Sequence, residues 1–346
     1  MRIPQEKSGK KSRLGPQSDP NKMRTPLAVA LILAVLPAAV RSADYQIAVI
    51  PKGTTHEYWR SINAGAVKAQ RELKAAGTDI TIIWKGPLLE DDREQQIQVV
   101  ENFVGRSVSA IVLAPLDSRA LVAPVEDAIK AGIPVVIIDS GLNSPLTSST
   151  VATDNRKGGQ IGGRRLGALL GGKGRVVMLR YEVGSASTEE REAGFMEVMK
   201  GEFPGIQLVS TDQYGGATRE TAYRAAQNLL NRYGAQMDGI FAPNESTASG
   251  TLLALREQGL AGKVRFVGFD ANEQLVSALK QGDIQGLVVQ DPFKMGYLGV
   301  MTAVAVLRHE KVAPSIDTGV GLVTVDNMND PSVTALIHPP IAEYLK

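Results

Sequence analysis

The chain has 346 residues, 43% of them hydrophobic and 21% charged, with 38 basic and 36 acidic residues and no cysteine. This is the composition of a globular protein long enough for two domains with ordinary cores. The lack of cysteine excludes disulfides, thiolate metal sites, cysteine nucleophiles and a lipid carried on an N-terminal cysteine.

Residues 1–42 read as a secretory signal peptide. Leu27 to Val40 is an almost unbroken apolar run, preceded by Lys22 and Arg24 and followed by the small residues Ser42 and Ala43. The run is shorter than the roughly 20 residues a membrane-spanning helix needs, and Pro37 interrupts it. Cleavage is expected after Ser42, and either Met1 or Met23 serves as the start. The leader holds eight of the basic and two of the acidic residues, so 30 basic and 34 acidic residues remain, a net of −4. A mildly acidic mature chain gives no electrostatic case for binding nucleic acid.

From Asp44 the patterns of strand and helix alternate. Tyr45 to Ile50 is a predicted strand. His56 to Ala75 is a predicted helix, with Trp59, Ile62, Ala66, Ala69 and Leu73 at spacings of three and four. Then follow a strand at Ile80 to Trp84, a helix at Asp91 to Val104, a strand at Ala110 to Ala114, a helix at Ala120 to Ala131 and a strand at Val135 to Ile138. Leu142 to Ser149 reads as a surface loop. The alternation restarts with a helix at Asn155 to Leu170, a strand at Arg175 to Leu179 and a helix at Thr188 to Lys200. Next come a strand at Ile206 to Thr211, a helix at Arg219 to Tyr233, a strand at Met237 to Ala242 and a helix at Glu245 to Gln258.

The stretch from Lys263 to Pro292 is the most informative. Val264, Phe266 and Val267 form a strand that ends at Gly268, and a helix runs from Ala271 to Lys280 until Gly282 stops it. Ile284 to Val289 is a second strand, closed by Gln290-Asp291-Pro292. Asp270 and Gln290 therefore lie just past the carboxyl ends of consecutive strands, where open parallel α/β sheets bind their ligands. Asp270 reads equally well as the N-cap of the helix that follows it. Met295 to Arg308 is a helix and Val320 to Val325 a strand, and the rest is irregular apart from a short helix around Val333 to Ile337. The strands are continuous Val/Ile/Leu runs, as in parallel sheets covered on both faces. Their number calls for two similar halves, with a break near Thr150 to Asn155.

Several motifs are missing. The first turn, Pro51-Lys52-Gly53-Thr54-Thr55, is not a dinucleotide-phosphate loop, and neither G-x-x-x-x-G-K-[ST] nor G-x-S-x-G occurs. Gly158-Gly159-Gln160-Ile161-Gly162-Gly163 lies inside a helix and reads as close helix packing. His56, His309 and His338 have no metal-ligand spacing. Nothing joins a nucleophile to a base, so the chain reads as a binder rather than an enzyme, with neither cofactor nor metal.

Tyr45 to Val325 resembles the periplasmic sugar-binding proteins of the ribose-binding type, and equally the ligand-binding core of LacI-type repressors. The matching segments, in family order, are A-V-I-P-K-G-T-T-H-E-Y-W-R-S-I-N-A-G-A, V-S-A-I-V-L-A-P-L-D-S, G-I-P-V-V-I-I-D-S, A-T-D-N-R-K-G-G, E-R-E-A-G-F, D-G-I-F-A-P-N-E, V-G-F-D and Q-D-P. The resemblance implies an α/β type I periplasmic binding protein. Two Rossmann-like lobes, each a parallel sheet flanked by helices, are joined by a three-strand hinge and close on ligand by hinge bending. It implies an N-terminal lobe of residues 44–152 and 291–318, a C-terminal lobe of 153–290 and 319–330, and a tail of 331–346.

Ligand contacts carry over to His56, Tyr58, Trp59, Asp139, Arg191, Asn244, Asp270 and Gln290. Aromatic faces would cover a sugar ring while carboxylates, Arg, Asn and Gln serve its hydroxyls. Read one at a time, Tyr58 and Trp59 are also core candidates, Arg191 a surface charge, and Asp139 and Asn244 caps. The chain departs from ribose binders at Asp139-Ser140, where they have Asp-Arg. It also has Ala217 in place of an aromatic, with Tyr214 nearest, and His56 in place of a small polar residue. Those departures point to another sugar or a polyol. The implied protein is a monomeric, extracytoplasmic solute-binding protein without a lipid anchor, its partner the membrane permease of an ABC importer. A sensory protein presenting ligand to a membrane receptor fits the same residues. A repressor would need a helix-turn-helix where the signal peptide stands.

Overall fold

A computed structural model describes residues 44–345, and the expected signal peptide, residues 1–42, lies outside them. The Val/Ile/Leu runs become strands buried on both faces. In the first half the order is β1 (Tyr45–Ile50), α1 (Glu57–Ala75), β2 (Ile80–Trp84), α2 (Arg93–Gly105), β3 (Ala110–Leu113), α3 (Val122–Lys130), β4 (Val135–Ile138) and β5 (Ser149–Ala152). The second half runs α4 (Asn155–Leu169), β6 (Gly174–Arg180), α5 (Ala186–Gly201), β7 (Ile206–Tyr214), α6 (Arg219–Tyr233), β8 (Gly239–Phe241), α7 (Glu245–Glu257), β9 (Arg265–Phe269), α8 (Glu273–Gln281) and β10 (Gly286–Gln290). The chain ends with α9 (Pro292–Leu307), β11 (Ser315–Asp317), β12 (Val320–Val323), α10 (Pro331–Ile337) and α11 (Ile341–Tyr344).

Two six-stranded sheets result, in the orders β11-β5-β4-β3-β1-β2 and β12-β10-β9-β8-β6-β7. The first is parallel throughout, and in the second only β12 runs antiparallel, against β10. Alternate residues of each strand feed opposite faces. Ile47 and Val49 pack with Trp59 and Ile62 of α1, while Ala48 and Ile50 pack with Phe103 and Val125 on the other side. Val177 and Leu179 likewise face one layer of helices, and Val176 and Met178 the other. This is the two-lobed α/β architecture expected from the sequence. The chain passes between the sheets after β5, after β10 and after β11.

Two strands escape a sequence reading. β5 falls where a loop ended and a break was expected, and β11 was unassigned. Each is three or four residues long and half polar, and they pair with each other across some 165 positions of sequence (Thr150 with Ser315, Ile316 with Val151), β5 also lying against β4. Hydrophobic periodicity needs a longer window than this. The helix expected from Met295 begins earlier, at Pro292, because Asp291 caps it by accepting from the Lys294 N–H and proline suits the first helical position.

The tail touches both lobes. Ile337 of α10 packs into the core of the second sheet. Beside α11, Arg71 of α1 donates to the carbonyls of Glu343 and Tyr344 at 3.1 and 3.3 Å.

The glycine-rich stretch of α4 is a packing surface, as its position inside a helix indicated. A Cβ on Gly159 would lie 1.8 Å from the carbonyl oxygen of Arg191 on α5, and one on Gly194 would lie 2.0 Å from the carbonyl oxygen of Arg156 on α4. The two backbones are thus in direct contact at the level of Arg191. Gly159→Ala is expected to force α5 away, costing about 1–3 kcal/mol as overpacking does, and to displace Arg191. Gly105→Ala, at a helical position facing open space, is the control and should not destabilise. Denaturant unfolding of both variants checks this.

Candidate functional site

The carboxyl ends of the two sheets face each other, and the residues that follow the strands converge between them on one narrow cavity. From the first sheet come Lys52 after β1, His56, Tyr58 and Trp59 at the start of α1, Glu90 after β2, and Asp139 after β4. From the second come Tyr181 after β6, Arg191 on α5, Asn244 and Glu245 after β8, Asp270 after β9, and Gln290 at the end of β10. All eight residues singled out in the sequence line this one cavity.

Asp139 and Asp270 occupy corresponding places, each ending the fourth strand of its half. Both have left-handed backbones, at φ 64° and 67°, a conformation aspartate tolerates better than most residues. Each backbone N–H is fixed from the neighbouring strand, by Val151 O at 3.0 Å and Val288 O at 2.7 Å. The tight turn aims both carboxylates into the cleft. Asp139 accepts from the Tyr58 hydroxyl at 2.6 Å and pairs with Lys52 at 3.5 Å. Asp270 accepts from Gln290 Nε2 at 2.8 Å and from the Glu245 backbone N–H at 3.2 Å, with Arg191 Nη1 3.8 Å away.

The alternative roles divide. Asp270 is not a cap: Asn272 caps α8, accepting from the Leu275 N–H. Asn244 is one, accepting from Thr247 N–H while it lines the cavity. Arg191 is no surface charge. Only 2% exposed, it donates to Asn155 Oδ1 and to the Pro243 carbonyl, and its guanidinium lies 3.8 Å from the centre of the Phe269 ring. Trp59 is both core and lining: its ring packs in the first sheet's core and edge-on to Tyr58, and its N–H donates to Glu90 at 2.7 Å.

Lys52, Glu90, Tyr181 and Glu245 were missed. Glu90 Oε1 lies 3.1 Å from His56 Nδ1, and its Oε2 accepts from the Tyr181 hydroxyl at 2.6 Å, across the cleft. Lys52, 3% exposed, also crosses, donating to Ser185 and Ser187 at 3.1 and 3.3 Å. The strand-end rule that singled out Asp270 would have found Lys52, Tyr181 and Glu245. Glu90 sits too far beyond β2 for it.

Among the described residues no group of His, Cys, Asp and Glu is placed to hold a metal ion, and no helix is long and apolar enough to cross a membrane. The cavity offers buried acceptors and donors around an aromatic wall, an arrangement suited to a small neutral polar molecule.

The family model of the periplasmic binding protein domain matches residues 47–311. The chain belongs to the periplasmic binding proteins. A D-ribose/D-allose-binding protein of Pseudomonas aeruginosa is 31% identical over 290 residues, 81% of this chain and 88% of the relative. A xylitol-binding protein of Mycolicibacterium smegmatis is 28% identical over 76% of this chain and 74% of its own length. A carbohydrate transporter solute binding protein from Agrobacterium radiobacter, solved in complex with D-arabinose, superposes with a TM-score of 0.79 at 38% identity, covering 85% of this chain and 99% of the other.

The electrostatics of this periplasmic binding protein centre on Asp270. Burial pushes its carboxyl up to about 6, against the opposing pull of Arg191 and the Gln290 hydrogen bond. Burial, followed by Asp139, raises the Tyr58 phenol well above its usual range, so it stays a donor. Because Asp270 titrates higher in the native state than in the unfolded chain, the native state binds the extra proton between pH 4 and 6. Its contribution to stability is fully present below pH 4 and is lost as pH rises through about 6. Two units correspond to about 3 kcal/mol. Asp270→Asn, with the Gln290 amide turned to suit, should therefore match the wild type near pH 4 and be about 1–3 kcal/mol more stable at pH 8. Unfolding curves across that range check the prediction; a variant equally destabilised at both ends would contradict it.

Proposed function

We propose that this protein is an extracytoplasmic solute-binding protein that captures a neutral monosaccharide or polyol between its lobes and delivers it to an ABC importer. The observation that carries the reading is the convergence of His56, Tyr58, Trp59, Asp139, Arg191, Asn244, Asp270 and Gln290, from both sheets, on one cleft. Each type suits a sugar: the aromatic pair for a ring face, and the carboxylates, guanidinium and amides for its hydroxyls. The two relatives named for D-ribose/D-allose and for xylitol, and the neighbour with D-arabinose, support this ligand class.

Residues 44–152 with 291–318 would move as one lobe and 153–290 with 319–330 as the other. The three sheet-to-sheet crossings serve as the hinge. Tyr181 to Glu90 and Lys52 to Ser185 and Ser187 are contacts that closure makes and opening breaks. The mature chain would act as a monomer, exposed faces of both lobes docking on the membrane permease.

Thermal shift and calorimetry of ligand-free protein against D-ribose, D-arabinose, D-allose, xylitol and D-glucuronate test the reading. At least one neutral compound should raise Tm with the logarithm of its concentration above Kd, adding about 2.7 kcal/mol of stability at a hundredfold excess over Kd, and glucuronate should not. Stabilisation by none of the neutral compounds would contradict it.

A further inference from the structure

The polar atoms around the cleft can be accounted for one at a time. Both Asp139 oxygens have partners in Tyr58 and Lys52, and both Glu90 oxygens in Trp59, His56 and Tyr181. Asn244 Oδ1 accepts from Thr247, and the Asp270 oxygens from Gln290 and the Glu245 N–H. Two cavity-lining side chains keep a buried oxygen with no partner: Glu245 Oε2 and Gln290 Oε1. Both residues are more than nine-tenths buried, at 3% and 4% exposure. A buried acceptor left unmet is costly, more so when it carries charge.

Neither oxygen is free to turn elsewhere. Glu245 Oε1 accepts from Asn272 Nδ2 at 2.9 Å and from Arg219, which fixes the plane of the carboxylate. Gln290 Nε2 is committed to Asp270, which points its Oε1 away. Asp270 holds both neighbours, one through its backbone and one through its side chain.

We propose that Glu245 is a ligand-contacting, specificity-determining residue, whose Oε2 together with Gln290 Oε1 accepts the O–H hydrogens of two hydroxyls of the bound sugar or polyol. The inference rests on the function proposed above and deepens it. The end of the ligand that lies against α7 and β10 must supply two donors. A deoxy, O-methyl or fluoro group there supplies none, and a carboxylate there meets Glu245 and Asp270 with like charge.

The test is a double-mutant cycle between protein and ligand. The full mature chain, wild type and Glu245→Gln, is titrated with whichever of D-ribose, D-arabinose, D-allose and xylitol binds, and with each monofluoro-deoxy analogue of that compound. In Glu245→Gln the amide oxygen stays with Asn272 and Arg219, so an NH₂ donor replaces the free acceptor. The parent compound should lose about 10- to 100-fold in affinity, as expected for a hydrogen bond to a charged group. Fluorine at one particular position should cost the wild type a similar factor and cost Glu245→Gln no more than about threefold. Fluorine penalties that are the same in both proteins at every position would overturn the proposal, as would a parent affinity unchanged in Glu245→Gln. If Glu245→Gln does not fold, Glu245→Asp, which keeps the charge and withdraws the oxygen by one methylene, enters the same cycle with the same expectations. If none of the four compounds binds the wild type, the proposed function falls and this inference with it; binding without coupling overturns the inference alone.

Discussion

A carboxylate held out of water at the meeting point of two sheets sets the terms for the rest of this structure. Asp270 is 6% exposed, sits on a left-handed backbone, and is ringed by Arg191, Gln290 and the N-terminus of α7. Burying a charge is tolerable only when hydrogen bonds and an opposite charge surround it. Each of those partners in turn needs support. Arg191 is set by the bare backbone contact between α4 and α5 at Gly159, Gln290 by its place on β10 between β9 and β12, and the Glu245 N–H by the Asn244 cap. The surrounding fold thus holds this one carboxylate in place against the cost of its burial.

The same arrangement recurs in the other half in weaker form. Asp139 also ends a fourth strand with positive φ and is served by Tyr58 and Lys52. Two strained turns, one per lobe, thus present carboxylates to a common space. Such strain is held in place by the neighbouring strands and is typical of binding sites. Because Lys52 and Glu90 reach across to the second lobe, the pocket is complete only when the lobes meet. In the function proposed above, this would link ligand capture to closure, since the groups that line the pocket also bind each other.

Much of this was legible in the sequence. The continuous Val/Ile/Leu strands indicated the class of sheet, and the position of Asp270 and Gln290 at the carboxyl ends of two strands pointed to the cleft. The glycines inside α4 pointed to close packing. What escaped had physical reasons. β5 and β11 are short, half polar and paired over a long sequence distance. Glu90 comes from a loop that folds back over Trp59, so its role depends on tertiary contacts with His56 and Tyr181 that no local pattern encodes. Glu245 was hidden beside a residue with an obvious role as a helix cap.

The central claim is that Asp270 serves ligand rather than fold. It is tested most directly by measuring Tm and calorimetric sugar affinity on one variant, Asp270→Ala. With Asn272 capping α8, the fold should survive with a Tm near or above that of the wild type at neutral pH. Loss of two charge-assisted hydrogen bonds of about 1.5–3 kcal/mol each should lower affinity by roughly 10²–10⁴. Near-normal affinity with a lowered Tm would contradict the account.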